Sequence, residues 1–257
     1  NSAIDKVFFF TEYWRRNGIS QGIQKNNGII LHGINSKMFY PYDENTRQAR
    51  RQMLGFKPED YVILNINRNT TRKRYDLLVM AFAEFVEKNN AGYLLISTNP
   101  DSSQGGWKFL EIYLEELRRR NIHTKENFER VKVIQNHMRH SDENINMLYN
   151  VADVGINTTD GEGYGLCNFE HAVVGRPQIV GNLGGFKEFF NKHNAYMVEP
   201  AMDYYMPAGR DELGGRAQVC HPKDIADGMT FYYKHPTTRQ EHGKLARESI
   251  LTYTWDR

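Results

Sequence analysis

The chain is poor in cysteine, with two in 257 residues, and that excludes a disulfide-stapled scaffold. Cys167, beside a glycine-rich turn, reads as a reduced packing residue. Long apolar runs are also lacking. No stretch approaches the roughly 18 residues that a membrane span requires, and the mean hydropathy of −0.67 agrees. Charge of one sign is not in excess: 33 basic residues face 31 acidic ones, a net charge of +2, so no global field draws the chain to nucleic acid. The nine histidines offer no pair at ligand spacing with a carboxylate partner, and His137 and His140 read as surface residues, so we expect no metal and no other cofactor. The chain begins at Asn1 without a signal-peptide pattern, and we expect a cytoplasmic piece of something longer.

What is present is a strand–helix rhythm. Strands are expected at Val7–Phe10, Ile29–Leu31, Tyr61–Asn67, Tyr93–Ser97, Val131–Ile134, Gln178–Val180 and Tyr196–Glu199. Helices are expected between them, for example over Asp76–Val86 with Leu78, Ala81, Phe82 and Phe85 inward, and after Ser141 as an N-cap. Arg47, Arg50 and Arg51 read as the solvated face of a helix, and 201–219 as an irregular insertion. The alternation implies an α/β fold, a Rossmann-like parallel sheet with helices on both faces.

The chain is organised around Val151–Asn157, read as a buried strand, and the run Thr158 to Glu170 that follows it. Gly161, Gly163 and Gly165 form a turn that admits close approach to the backbone. From Leu166 the pattern turns helical, with Leu166, Phe169, Val173 and Val174 on one side and Gly175 and Pro177 as the stop. A helix opening after such a turn presents unpaired amides and a positive dipole end to an anion. Glu162 and Glu170 flank that position and suit vicinal hydroxyls. Phosphate in the middle and hydroxyl-bearing rings at both ends describe a nucleotide sugar.

These residues carry a family resemblance. Glu162 to Glu170, "EGYGLCNFE", resembles the Glu-x7-Glu motif of retaining glycosyltransferases of family 4, enzymes of GT-B fold. Asn67 to Phe85, "NRNTTRKRYDLLVMAFAEF", resembles the family's Arg-x4-Lys segment, and Ile30 to Pro41 its interdomain segment. The pair of motifs is most similar to virus-encoded members. The resemblance implies that residues 1–56 are a remnant of an N-terminal domain with its linker, and 57–257 a donor-binding domain; the rest of the N-terminal domain is an expected partner.

The resemblance also implies roles. Arg68 and Lys73 would hold the donor diphosphate and stabilise the departing nucleotide, and Glu162 would contact the transferred sugar. Gly163, Tyr164, Gly165 and Leu166 would touch sugar and phosphate through the turn amides, and Glu170 would accept from the ribose diol. The nucleobase would be read near Asn136–Arg139. The Asp-x-Asp of metal-dependent glycosyltransferases is lacking, and the two cations can replace its metal. The reaction would move a hexose from GDP-mannose or a UDP-hexose to a hydroxyl acceptor, with retention. Arg74 stands where the family usually has glycine. A non-catalytic nucleotide-sugar binding module is the alternative; a nicotinamide enzyme is disfavoured because Gly161-x-Gly163-x-Gly165 is not the dinucleotide fingerprint.

Overall fold

The computed structural model describes residues 4–23, 26–99, 106–135, 140–206 and 215–255. Strands β1 (Val7–Phe9) and β2 (Asn27–Ile29) pair in parallel around helix α1 (Glu12–Ser20), so the second strand lies two residues earlier than expected. Thr11 caps α1, accepting from the Trp14 amide at 3.2 Å. Helix α2 (Glu44–Met53) follows, capped by Asp43. Then come β3 (Val62–Ile66), α3 (Tyr75–Asn89), β4 (Tyr93–Thr98), α4 (Phe109–Arg119), the unanticipated short α5 (Lys125–Glu129), and β5 (Val131–Gln135). Helix α6 (Asp142–Val151) is capped by Ser141 as expected and precedes β6 (Val154–Asn157), α7 (Leu166–Val173), β7 (Gln178–Gly181), α8 (Phe186–Phe189) and β8 (Ala195–Val198). Val151 thus ends a helix rather than opening the central strand. The chain closes with β9 (Pro200–Met206), β10 (Gly215–Cys220), α9 (Pro222–Lys234) and α10 (Pro236–Ile250).

Strands β3 to β8 form one all-parallel sheet in the order β5-β4-β3-β6-β7-β8. Val62, Ile63, Leu64, Leu94, Leu95 and Ile96 are at most 2% exposed, a continuous apolar run of the kind that strands covered on both faces require. Helices supply the two covers: α3 packs on α4 and α9, while α6 packs on α2 and α7. No helix among the described residues is long and apolar enough to cross a membrane.

Two expectations fail here. The segment read as irregular is an antiparallel hairpin, β9 with β10, in which Ala217 opposes Tyr204 and Arg216 opposes Tyr205; its glycines and proline hid the alternation. And the arginines of α2 are not a solvated face. Arg47 and Arg51 are 7% and 1% exposed, and both reach Asp153, at 2.8 and 3.3 Å. The same carboxylate accepts from the Val62 amide at 2.8 Å, tying α2 to the amino ends of β3 and β6. Sequence alone cannot pair α2 with a carboxylate a hundred residues away.

Burial pushes the Asp153 carboxyl up, but Arg47 and Arg51 more than offset it, and its pKa lies below the ordinary value. Its ionised form therefore stabilises the fold above the ordinary carboxylate range, and that contribution is lost as pH falls through the depressed folded value. We expect Asp153→Ala, which strands two buried guanidinium groups, to cost about 3–5 kcal/mol in urea unfolding at pH 7, and to cost progressively less as the pH is lowered below 4.

Candidate functional site

The strand order reverses between β3 and β6, which are neighbours whose connections run in opposite directions. In open parallel sheets such a point leaves a crevice beyond the carboxyl ends of the strands. The segment after β3 holds Arg68 to Arg74, with a single 3₁₀ turn at Thr71–Lys73, and the segment after β6 holds Thr158 to Gly165. Both motifs singled out from the sequence therefore face one crevice.

The two segments are laced together. The Asp160 amide donates to the Arg72 carbonyl at 3.0 Å, Thr158 Oγ1 to the Arg74 carbonyl at 3.0 Å, and Thr159 Oγ1 to the Arg72 carbonyl at 3.1 Å. Charge completes the closure. Lys73, 8% exposed, is ion-paired with Glu162, and Arg72 approaches the same carboxylate at 3.7 Å while donating to the Gly161 carbonyl at 3.0 Å. Arg74 adopts a left-handed backbone, φ +49°, and pairs with Asp76 at 2.8 Å. That conformation favours glycine, which is why an arginine at this position is unusual.

The glycine turn has two sides. Gly165 has φ +90°, and a Cβ there would strike the Phe186 ring; Gly184, at φ +53°, comes so close to the Glu162 carbonyl that a Cβ would lie 2.5 Å from it. A Cβ on Gly161 or Gly163 would meet no described atom within 4 Å. The turn is thus pressed onto the start of α8 on one side and open on the other. Behind it, buried amides fix the register of α7: Asn157 donates to Asn168 at 2.9 Å, and Asn168 to Gln178 at 2.8 Å.

Glu170 lies one turn into α7, and its Oε2 accepts from the Tyr149 hydroxyl at 2.8 Å. Burial raises its pKa to about 7, against the opposing effect of the Tyr149 hydrogen bond. Burial pushes the Cys167 thiol up to about 11, with Glu170 adding to the rise and Lys73 opposing it. It is a thiol, not a nucleophilic thiolate, at neutral pH.

Of the residues expected from sequence, Lys73 and Glu162 are in direct contact, with the Gly163–Gly165 turn beside them and Glu170 on the helix that follows. Arg68 stands apart: it is exposed, and among the described residues its guanidinium has no ion-pair partner. Leu166, expected in the core with Phe169, Val173 and Val174, is 43% exposed while those three are buried; the first helical residue overhangs the crevice before the apolar stripe reaches the core. The Tyr164 side chain is 4% exposed and donates to the His32 carbonyl at 2.7 Å, which leaves only its backbone for the turn. Asn136–Arg139 lie outside the described residues. Sequence reasoning missed Arg72, Tyr149 and the Asn157–Asn168–Gln178 chain; only Arg72, adjacent to Lys73 in a basic run, left a signal. Among the described residues, no group of three or more His, Cys, Asp or Glu could hold a metal ion.

This fold is that of the GT-B glycosyltransferases. Sucrose-phosphate synthase from Thermosynechococcus elongatus superposes with a TM-score of 0.74 at 20% identity, over 98% of this chain and 55% of that one. Anabaena HepE, solved in complex with UDP and glucose, gives 0.74 at 15% identity, over 98% and 60%. The profile of the family "Glycosyl transferases group 1" matches residues 60–205, and the chain belongs to that family. Among curated relatives, mannosylfructose-phosphate synthase of Agrobacterium fabrum is 25% identical over 179 residues, covering 69% of this chain and 37% of the relative. D-inositol 3-phosphate glycosyltransferase of Paenarthrobacter aurescens is 24% identical over 226 residues, covering 88% and 47%. The chain thus spans less than half the length of these two relatives.

A carboxyl raised to about 7 disfavours folding wherever the unfolded chain carries it ionised, so its adverse effect is absent below the ordinary value near 4.5, grows as pH rises from there to about 7, and is constant above. We expect Glu170→Gln to stabilise the unliganded protein at pH 8, by on the order of 1–3 kcal/mol, and to change little at pH 4.5. Urea unfolding at the two pH values measures this.

Proposed function

We propose that this chain forms the donor-binding part of a retaining glycosyltransferase that moves a hexose from a nucleotide-diphosphate sugar to a hydroxyl acceptor without a metal. Residues 57–257 would be the donor domain, and 1–56 the tail of a preceding domain with its linker. The observation that carries the reading is the convergence of Lys73 with Glu162 at the point where the sheet order reverses, with the open side of the Gly161–Gly163 turn and Glu170 next to them.

The chemistry follows from the charges. A diphosphate lying over the turn meets the α7 amino end and the Lys73 ammonium, and exposed Arg68 is a planar fork able to close on it. Lys73 is already oriented by Glu162, so it can stabilise the leaving phosphate without rearranging. Glu162 in turn suits a sugar hydroxyl, and Glu170 the ribose diol. Retention would follow from attack on the face the phosphate leaves, with the phosphate oxygen taking the acceptor proton; no separate base is required. The HepE complex with UDP and glucose supports a uridine donor by analogy, while the motif likeness favours GDP-mannose, so the nucleotide is GDP or UDP. The acceptor would be a glycan or another hydroxyl compound.

Calorimetric titration with GDP-mannose and UDP-glucose, with and without EDTA, tests the reading. We expect one donor to bind equally in both conditions, and Arg68→Ala and Glu170→Ala each to weaken it about 10- to 100-fold. Binding lost in EDTA would overturn metal independence; binding unchanged in both variants would overturn the site.

A further inference from the structure

Helix α6 touches both the segment that precedes the sheet and the helix that carries Glu170. On one side Asn146 accepts from the Tyr40 amide at 3.2 Å, and Asn150 accepts from the Tyr42 amide at 2.7 Å while donating to the Tyr40 carbonyl at 3.0 Å. On the other side stands Tyr149. It is 1% exposed, and its ring stacks on His171 with centroids 4.9 Å apart and planes 18° from parallel. Phe39 meets the ring edge-on at 5.8 Å. His171, which burial holds neutral with its pKa near 3, donates from Nε2 to the Tyr149 carbonyl at 3.0 Å. The tyrosine is therefore fixed at its ring and its backbone, and its hydroxyl lies between the Glu170 carboxylate and the Cys167 thiol.

Its proton goes to Glu170 Oε2, at 2.8 Å, the stronger acceptor of the two. Among the described residues no other hydrogen bond reaches the Glu170 side chain. A carboxylate on a glutamate stem has three rotatable bonds, and its terminal torsion is soft; one donor from a rigid tyrosine removes most of that freedom. We propose that Tyr149 is a positioning residue, which holds Glu170 Oε2 so that the second oxygen is presented to the hydroxyl pair of the bound nucleotide sugar. This rests on the donor-site reading above. The family motif specifies the glutamate, whereas the tyrosine that orients it comes from a different helix and touches no ligand.

The groups facing Glu170 make the idea measurable through pH. Burial raises its carboxyl, the Tyr149 hydrogen bond favours the ionised form, and Asp142 of α6 opposes it; from its own helix Cys167 adds only a neutral thiol. Loss of the hydroxyl removes the one contact that favours ionisation. Titration of the carboxyl should then move upward from about 7, by about one pH unit.

The experiment compares wild type, Tyr149→Phe and Glu170→Gln. Binding of UDP-glucose and GDP-mannose is measured from pH 5 to 9, and the Glu170 carboxyl is followed by NMR in the unliganded proteins. Between about pH 5 and 8 the donors' phosphates stay ionised and their bases neutral, so an inflection near 7 belongs to the protein. We expect wild-type binding to tighten through pH 7, Tyr149→Phe to bind about 10-fold more weakly at pH 7 with its inflection moved up, and Glu170→Gln to show no inflection. A general structural defect would weaken binding without moving the inflection. If Tyr149→Phe matches wild type in affinity and inflection while Glu170→Gln weakens binding, the role of Tyr149 is overturned and the donor site stands. If neither donor binds any of the proteins, the donor-site reading falls and the proposal falls with it. Should Tyr149→Phe not fold, a Tyr149 hydroxyl proton protected from exchange in the wild type, and lost in Glu170→Ala, supports the contact; its absence from the wild type overturns it.

Discussion

Two neighbouring parallel strands whose connections leave in opposite directions cannot both have their carboxyl ends covered by the same helix. Between β3 and β6 this leaves an open place in an otherwise covered sheet, and the chain uses it to bring together a basic turn and an acidic, glycine-rich one. The Lys73–Glu162 pair closes the crevice at its base. Surface ion pairs contribute little, but this one joins two half-buried loops that three backbone-directed hydrogen bonds already align. Its effect is therefore geometric: it fixes where the charges stand relative to the amino end of α7.

Precision at the crevice depends on buried polar contacts at some distance from it. Asp153 holds α2 and the amino ends of β3 and β6 together through Arg47, Arg51 and the Val62 amide. At the opposite end, the Asn157–Asn168–Gln178 chain sets the rotation of α7 about its axis. Gly184 lets the start of α8 lie against the Glu162 carbonyl, so the turn is braced from behind while its Gly161 and Gly163 face remains open. Trp14 of α1 adds a hydrogen bond from Nε1 to the same carbonyl at 3.2 Å, linking the segment before the sheet to the turn.

The fold was legible because its evidence is local. Short β-branched and apolar runs such as Val62–Leu64 and Leu94–Ile96, set between helical patterns, favour strands covered on both faces, and caps such as Thr11 and Ser141 act on the helix that follows them. The two motifs each follow a strand of one parallel sheet, which implies a shared crevice for Lys73 and Glu162. What was illegible is pairing across sequence distance: Arg51 with Asp153, Tyr149 with Glu170, Tyr164 with His32. A tyrosine on an amphipathic helix announces burial, but not the partner of its hydroxyl. The hairpin of β9 and β10 was missed for a different reason, since Gly215 and the glycines around it mask a period of two.

Glu170 shows what such a site costs the fold that carries it. A solvated carboxylate at a helix start would be fully ionised and stabilising; half-buried behind Tyr149, this one is raised to about 7 and works against folding above the ordinary carboxylate range. Packing alone would favour an apolar side chain at this position. On the donor-site reading proposed above, a hydroxyl pair of the ligand would supply the hydrogen bonds that burial has withheld, so the penalty would be offset on binding rather than on folding. The same reasoning distinguishes Glu170 from Glu162. The latter is satisfied within the protein by Lys73 and Arg72, so a ligand must compete for it, whereas Glu170 has one oxygen committed to Tyr149 and gains from whatever donor reaches the other.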